Sequence, residues 1–163
     1  MELFNVKNGR IACAILVIVD VILGGCAVFF SEFYAAIFHP NLPASEIPTD
    51  YIIRTGVLWL VFLLFQLIAT FSRRSDRWFF VVAAVRLMDV PADIVYGILA
   101  RGATVFSRFL ILSAPILNIL FGLFLLKIVR GIEKDADSDT LRNAENGIHK
   151  ESNLNNNNNL NEK

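Results

Sequence analysis

The side chains able to do chemistry in this chain gather in one stretch, Arg86-Leu87-Met88-Asp89-Val90-Pro91-Ala92-Asp93. Three ionisable residues and a proline interrupt an apolar run long enough to cross a bilayer. A charge at membrane depth costs roughly 2.5–3.5 kcal/mol on insertion scales, so such a residue has partners or a purpose. At ~100° per residue, Arg86, Asp89, Asp93 and Tyr96 fall within an arc of roughly 80° on one helix face. A face of this kind orients a small hydrophobic or cationic ligand, or relays protons. Asn118 on a later segment lies at nearly the same depth as Asp89 and completes the candidate ligand or proton site: Asp89, Asp93, Asn118 and Tyr96.

Other chemistries find little support. The two histidines, His39 and His149, fall in a loop and in a polar tail on opposite sides of the expected membrane. No metal-ligand cluster, nucleophile–base pair or glycine-rich phosphate loop is legible. Asp135, Asp137 and Asp139 have the spacing that opens an EF-hand loop. Thr140 stands where glycine is required, however, and Asn146 where the bidentate glutamate belongs. Cys13 and Cys26 share one apolar segment and would lie roughly 20 Å apart along a helix, too far for a disulfide. No cofactor is expected. Nor does any basic patch interleaved with aromatics suggest nucleic acid.

The elements that must position the polar stripe are four apolar segments, 11–30, 51–71, 78–100 and 109–129. Each is close to the ~20 residues needed to cross the hydrocarbon layer. With 55% of its 163 residues hydrophobic, the chain reads as an integral membrane protein. It is expected to be all-α, a four-helix transmembrane bundle with antiparallel neighbours over residues 1–130. The first segment follows Lys7 and Arg10, and Leu23-Gly24-Gly25-Cys26 resembles a lipoprotein cleavage box. Asp20 sits in what would be the uncharged core of a signal, so the segment is expected to stay as a helix. Lys and Arg alternate with the segments: Lys7 and Arg10, then none in residues 31–50, then Arg73, Arg74 and Arg77, and finally Lys127, Arg130 and Lys134. Arg101 and Arg108 fall on the outer side. The bias places both termini in the cytoplasm, in the plasma membrane.

Loop 31–50 holds Pro40, Pro43 and Pro48, and its residues 33–38 are apolar enough to lie in the interface. It is either a lid or a plain connector, and the connector is the expectation. From 131 to 163 the chain turns polar and ends in an asparagine run, Asn155–Asn159, which predicts a disordered cytoplasmic tail.

Depth arithmetic suggests who meets whom. Asp20 lies roughly 13–14 Å from the inner edge and Arg86 roughly 12 Å, so an ion pair between them is expected. Arg54 and Asp93, roughly 4–5 and 7–8 Å below the outer edge, make a second expected pair. Asp89 is left to share Arg86 or to meet Asn118. Three carboxylates against two guanidiniums leave one negative charge over, and a surplus buried acid favours its neutral form. Cys13, Asp20, Gly24 and Ala27 line one side of the first segment, and Ala114, Asn118 and Gly122 one side of the fourth. Small residues there let a partner backbone approach. Gln66, about 120° round from Arg54, is expected to serve a different contact.

On these residues the chain resembles the DoxX-like small four-helix membrane proteins. The resemblance covers residues 11–130: four spans, a longer first outer loop, and polar residues such as Arg54 and Arg86–Asp93 inside the second and third helices. It implies the four-helix architecture. The paired acids Asp89 and Asp93 also resemble those of four-helix sterol isomerases and sigma-2-receptor-like proteins, which hold acidic residues around a lipid-like ligand. Three roles follow as expectations. The first is binding of a small hydrophobic or cationic ligand, or docking of a membrane partner. The second is a proton- or ion-coupled transporter working as an oligomer. The third is a carboxylate-based membrane isomerase.

Overall fold

A computed structural model describes residues 4–161 as helices joined by short connections. They are α1 (Val6–Phe29), α2 (Ser31–Phe38), a 3-10 turn (Ala44–Glu46), α3 (Thr49–Phe71), α4 (Ser75–Leu99) and α5 (Val105–Asn161). Each start and stop has a local cause. Asn5 caps α1, its Oδ1 accepting from the Asn8 N–H at 2.9 Å, which satisfies an amide that the first turn leaves open. α2 ends at His39, just before Pro40, because the residue preceding a proline is pushed out of helical geometry. Thr104 opens α5, its Oγ1 accepting from the Ser107 N–H at 3.1 Å. The turn before it needs Gly102, whose φ is +67°. A Cβ there would also sit 2.8 Å from the Leu42 amide nitrogen.

The long helices pack through small residues, consecutive ones antiparallel and α1 parallel to α4. A Cβ on Gly56 of α3 would lie 2.8 Å from the Ala27 Cβ and 2.9 Å from the Gly24 carbonyl of α1. The start of α3 therefore lies against the end of α1, backbone close to backbone. Gly97 of α4 receives Leu112 of α5, Gly122 of α5 receives Leu87 of α4, and Gly9 of α1 receives Phe79 of α4. Among apolar surroundings there is little hydrophobic force between helices, and close packing of this sort holds them together.

Many outward-facing residues along the middle of the long helices are apolar: Ile18, Leu64 and Leu120 are each more than half exposed. Three helices, Val6–Phe29, Thr49–Phe71 and Val105–Lys134, are long and apolar enough to cross a membrane. Four such spans were expected, and α4 is the one that does not qualify. Arg86, Asp89 and Asp93 crowd its middle, and Asp76 and Arg77 its start.

The tail differs from expectation as well. Helix α5 runs on to Asn161 where composition predicts disorder. A helix already formed adds residues without a new nucleation penalty, and Ala136, Leu141, Arg142 and Ala144 are good helix formers. The chain divides into two units, Met1–Val129 and Arg130–Lys163. The side chains of Asp135, Asp137, Asp139 and His149 lie outside the described residues. The polar stripe belongs to the first unit.

Candidate functional site

Helix α4 turns Arg86 inward until its side chain is 6% exposed, and Asp20 of α1, 2% exposed, meets its Nη2 in an ion pair. Gln66 of α3 donates to the same carboxylate oxygen from Nε2 at 2.7 Å. On the other side, Arg86 Nη1 donates to Asn118 Oδ1 of α5 at 3.3 Å, and Asn118 Nδ2 donates to Asp93 Oδ2 at 2.9 Å. The direction of the Asn118 amide follows from its neighbours. A guanidinium only donates and an ionised carboxylate only accepts, so the amide oxygen must face Arg86 and its nitrogen Asp93. Gln66, Asp20, Arg86, Asn118 and Asp93 thus form one hydrogen-bonded chain tying together all four long helices.

Expected partners are redistributed in two places. Arg54 does not reach Asp93: it is exposed and makes no ion pair among the described residues. It lies two residues, about 200° round the helix, from Gly56 on the packed face of α3, and its long stem carries the charge outward. Asn118 meets Asp93, not Asp89. One helical turn, about 6 Å, separates the two acids, a difference that depth arithmetic does not resolve. Asp89 is half-buried and makes no hydrogen bond or ion pair among the described residues. Arg86 Nε and Gln66 Oε1 are buried without a hydrogen-bond partner as well.

Beside this chain of polar groups lies a cavity of about 320 Å³. Asp20, Arg86, Asp89, Asp93, Tyr96 and Asn118 supply polar groups to its lining, and most of the rest is apolar, including Leu16, Leu23, Trp59, Leu110 and Phe121. An apolar pocket of a few hundred Å³ with a few convergent polar groups is the usual form of a small-molecule site.

Helix α2 covers one end of the cavity, so loop 31–50 is more than the plain connector expected. Tyr34 and Phe38 line the space. The Tyr34 ring stacks 4.4 Å from Phe38 and 6.2 Å from Trp59, between centroids. Burial pushes the Tyr34 phenol up from its ordinary range, so it stays neutral. His39, only 6% exposed, clamps the lid. Its Nδ1–H donates to the Arg101 carbonyl at 2.7 Å, since a carbonyl accepts only. In that tautomer Nε2 accepts from the Tyr96 hydroxyl at 2.6 Å. Ser107 Oγ donates to the Ile37 carbonyl at 2.8 Å, and the Asn41 amide to Gly102 at 3.0 Å. In the sequence His39 falls in a loop. Its one signal was position, directly after an apolar run and before Pro40, which does not reveal a partner 57 residues away.

Among the described residues no cluster of His, Cys, Asp and Glu is arranged to hold a metal ion. Comparison with protein-family models, with curated proteins and with solved structures finds no match. None of these comparisons bears on the resemblance to DoxX-like proteins, and Arg54, one of the residues that carried it, stands outside the polar network.

Proposed function

We propose that this chain is a four-span protein of the plasma membrane that binds a small amphipathic cation in the cavity beside α4. Two features support α4 as a fourth span. Its central charges turn inward, Arg86 paired with Asp20, while Phe80, Met88, Val95 and Ile98 face outward and are each more than half exposed. A count of charged residues along a helix takes no account of which side they face. Arg10, whose Nη2 donates to the Ser72 carbonyl and to Ser75 Oγ, lies at one end with exposed Arg73 and Arg74, and this basic end fits the cytoplasmic face.

The observation that carries the ligand reading is Asp89, an acid on the cavity wall that makes no hydrogen bond or ion pair among the described residues. With Arg54 outside, the wall holds three carboxylates, Asp20, Asp89 and Asp93, against one guanidinium, Arg86. A cationic group is what this wall favours, and the Trp59 and Tyr34 rings add attraction for it. The relay reading is weaker. Between Asp20 and Asp93 stand Arg86 and Asn118, and neither gives up a proton at physiological pH.

The test is thermal unfolding in a neutral detergent with dodecylammonium, with dodecanol as the uncharged control. Dodecylammonium is expected to raise Tm saturably, by several degrees at a hundred times its Kd, where linkage gives about 2.7 kcal/mol. Dodecanol is expected to have no such effect, and Asp89→Asn, which breaks no hydrogen bond or ion pair among the described residues, to remove most of the amine's. Equal shifts from amine and alcohol would overturn the reading.

A further inference from the structure

A second apolar recess, about 570 Å³, runs along the outside of the molecule between α1 and α5. Ile11, Ala12 and Ile15 form one side, Leu120 and Phe124 the other. Leu117 and Phe121, one turn apart on α5, line both this groove and the cavity. On α1 the boundary falls between consecutive residues, Ile15 in the groove and Leu16 in the cavity. Two side chains therefore separate the spaces, and Leu117 is nearly half exposed. Partly exposed side chains change rotamer within nanoseconds.

We infer that cavity and groove form one site for a single-chain amphiphilic amine, its ammonium at Asp89 and Asp93 and its hydrocarbon tail leaving between Leu117 and Phe121 to lie along the α1–α5 groove. The inference rests on the cation-binding reading above and extends it to the class of ligand. The chemistry of the two spaces is divided in the way such a molecule is divided. All the acids are in the cavity, whereas the groove holds one polar residue, Asn8, at its far end. The groove extends about 10 Å from Leu117 to Phe124 along α5. Elsewhere the cavity lining includes Tyr34 and Phe38 of α2, the helix whose C-cap His39 is held by hydrogen bonds to Tyr96 and Arg101. Since the groove opens where Ile11 and Ile15 face outward, the ligand is drawn from the lipid phase.

The experiment uses Trp78→Phe protein in vesicles of a neutral phosphatidylcholine, so that Trp59 on the cavity wall is the remaining tryptophan. The probe is a long-chain primary amine with a diazirine at the end of its tail. Trp59 emission reports the head, and photolabelled residues report the tail. Saturable change at Trp59, with labelling of Leu120 and Phe124 that falls severalfold under excess dodecylammonium, is the expected result. Ile15→Phe, which fills the groove from the α1 side and does not line the cavity, is expected to reduce that labelling severalfold while short butylammonium still changes Trp59 emission, a sign that the head site is intact. If Trp59 responds but the label falls on Tyr34 and Phe38, or is not competed, the tail seat is wrong and the cation site stands. If no amine changes Trp59 emission saturably, both fall together.

Discussion

Asp20 and Arg86 are almost fully buried, and each satisfies the other. Removing one partner strands the other charge in a low-dielectric interior, which typically destabilises by about 3–5 kcal/mol, whereas replacing both with apolar residues of similar size is often near neutral. Asp20→Leu and Arg86→Leu are each expected to lower stability by roughly that amount in denaturant titrations of the detergent-solubilised protein. The double variant is expected to recover most of the loss. A double variant as unstable as the singles would mean that packing, not charge, accounts for the effect. The pairing of these two residues was legible because opposite charges at equal depth have few alternatives. What Asp93 meets was not, since Arg54 and Asn118 both lay within reach in depth. Rotation about α3 decided it, and that rotation is set by where Gly56 packs. Asp89 is the complementary case. In the sequence it is the acid left over once the other charges pair, and it makes no hydrogen bond or ion pair among the described residues.

At the scale of the helices, small residues decide how closely the backbones approach. Gly56 and Gly25 form a matched pair for testing this. A methyl on Gly56 would meet Ala27 Cβ and Val28 Cγ2 at 2.8 Å and the Gly24 carbonyl at 2.9 Å, while one on Gly25 meets nothing within 4 Å. Gly56→Ala must push α1 and α3 apart and is expected to destabilise by about 1–3 kcal/mol, the usual range for overpacking. Gly25→Ala removes a helix-weakening glycine from an open position and is expected to stabilise by up to about 1 kcal/mol. Thermal unfolding of the two variants side by side checks the sign of each. The small face of α1, with Gly24 and Ala27, was legible from helical spacing, as were four long helical segments. Helix α2 was not. Eight residues are too few for periodicity to declare a helix, and its place depends on Tyr34 finding Trp59 and Ile52, contacts that no local pattern encodes. His39 was missed for the same reason, because both of its hydrogen-bond partners, Tyr96 and Arg101, come from beyond α3.

For the first unit as a whole, the decisive question is how many times the chain crosses the membrane, and the ends of the helices supply the argument. Arg10 of α1 bonds to Ser72 and Ser75, so the start of α1 and the α3–α4 connection share one end. His39 bonds to Tyr96 and Arg101, and the Asn41 amide to Gly102, so the α2 lid and the α4–α5 connection share the other. Helix α4 joins these two ends with 25 residues, about 37 Å at 1.5 Å per residue and enough to cross a bilayer of ~30 Å. If α4 crosses, residues 45 and 103 lie on one side of the membrane and residue 73 on the other. If only α1, α3 and α5 cross, residues 73 and 103 must lie together. Single cysteines at Ser45, Arg73 and Ala103, placed in a Cys13→Ala/Cys26→Ala background, separate the two cases under a membrane-impermeant maleimide applied to intact cells. Ser45→Cys and Ala103→Cys are expected to label from outside, and Arg73→Cys only after the membrane is opened. Labelling of Ala103→Cys together with Arg73→Cys would remove α4 from the bilayer. It would also leave Asp89 and Asp93 in an aqueous setting, where a three-carboxylate wall has no reason to select an amphiphile.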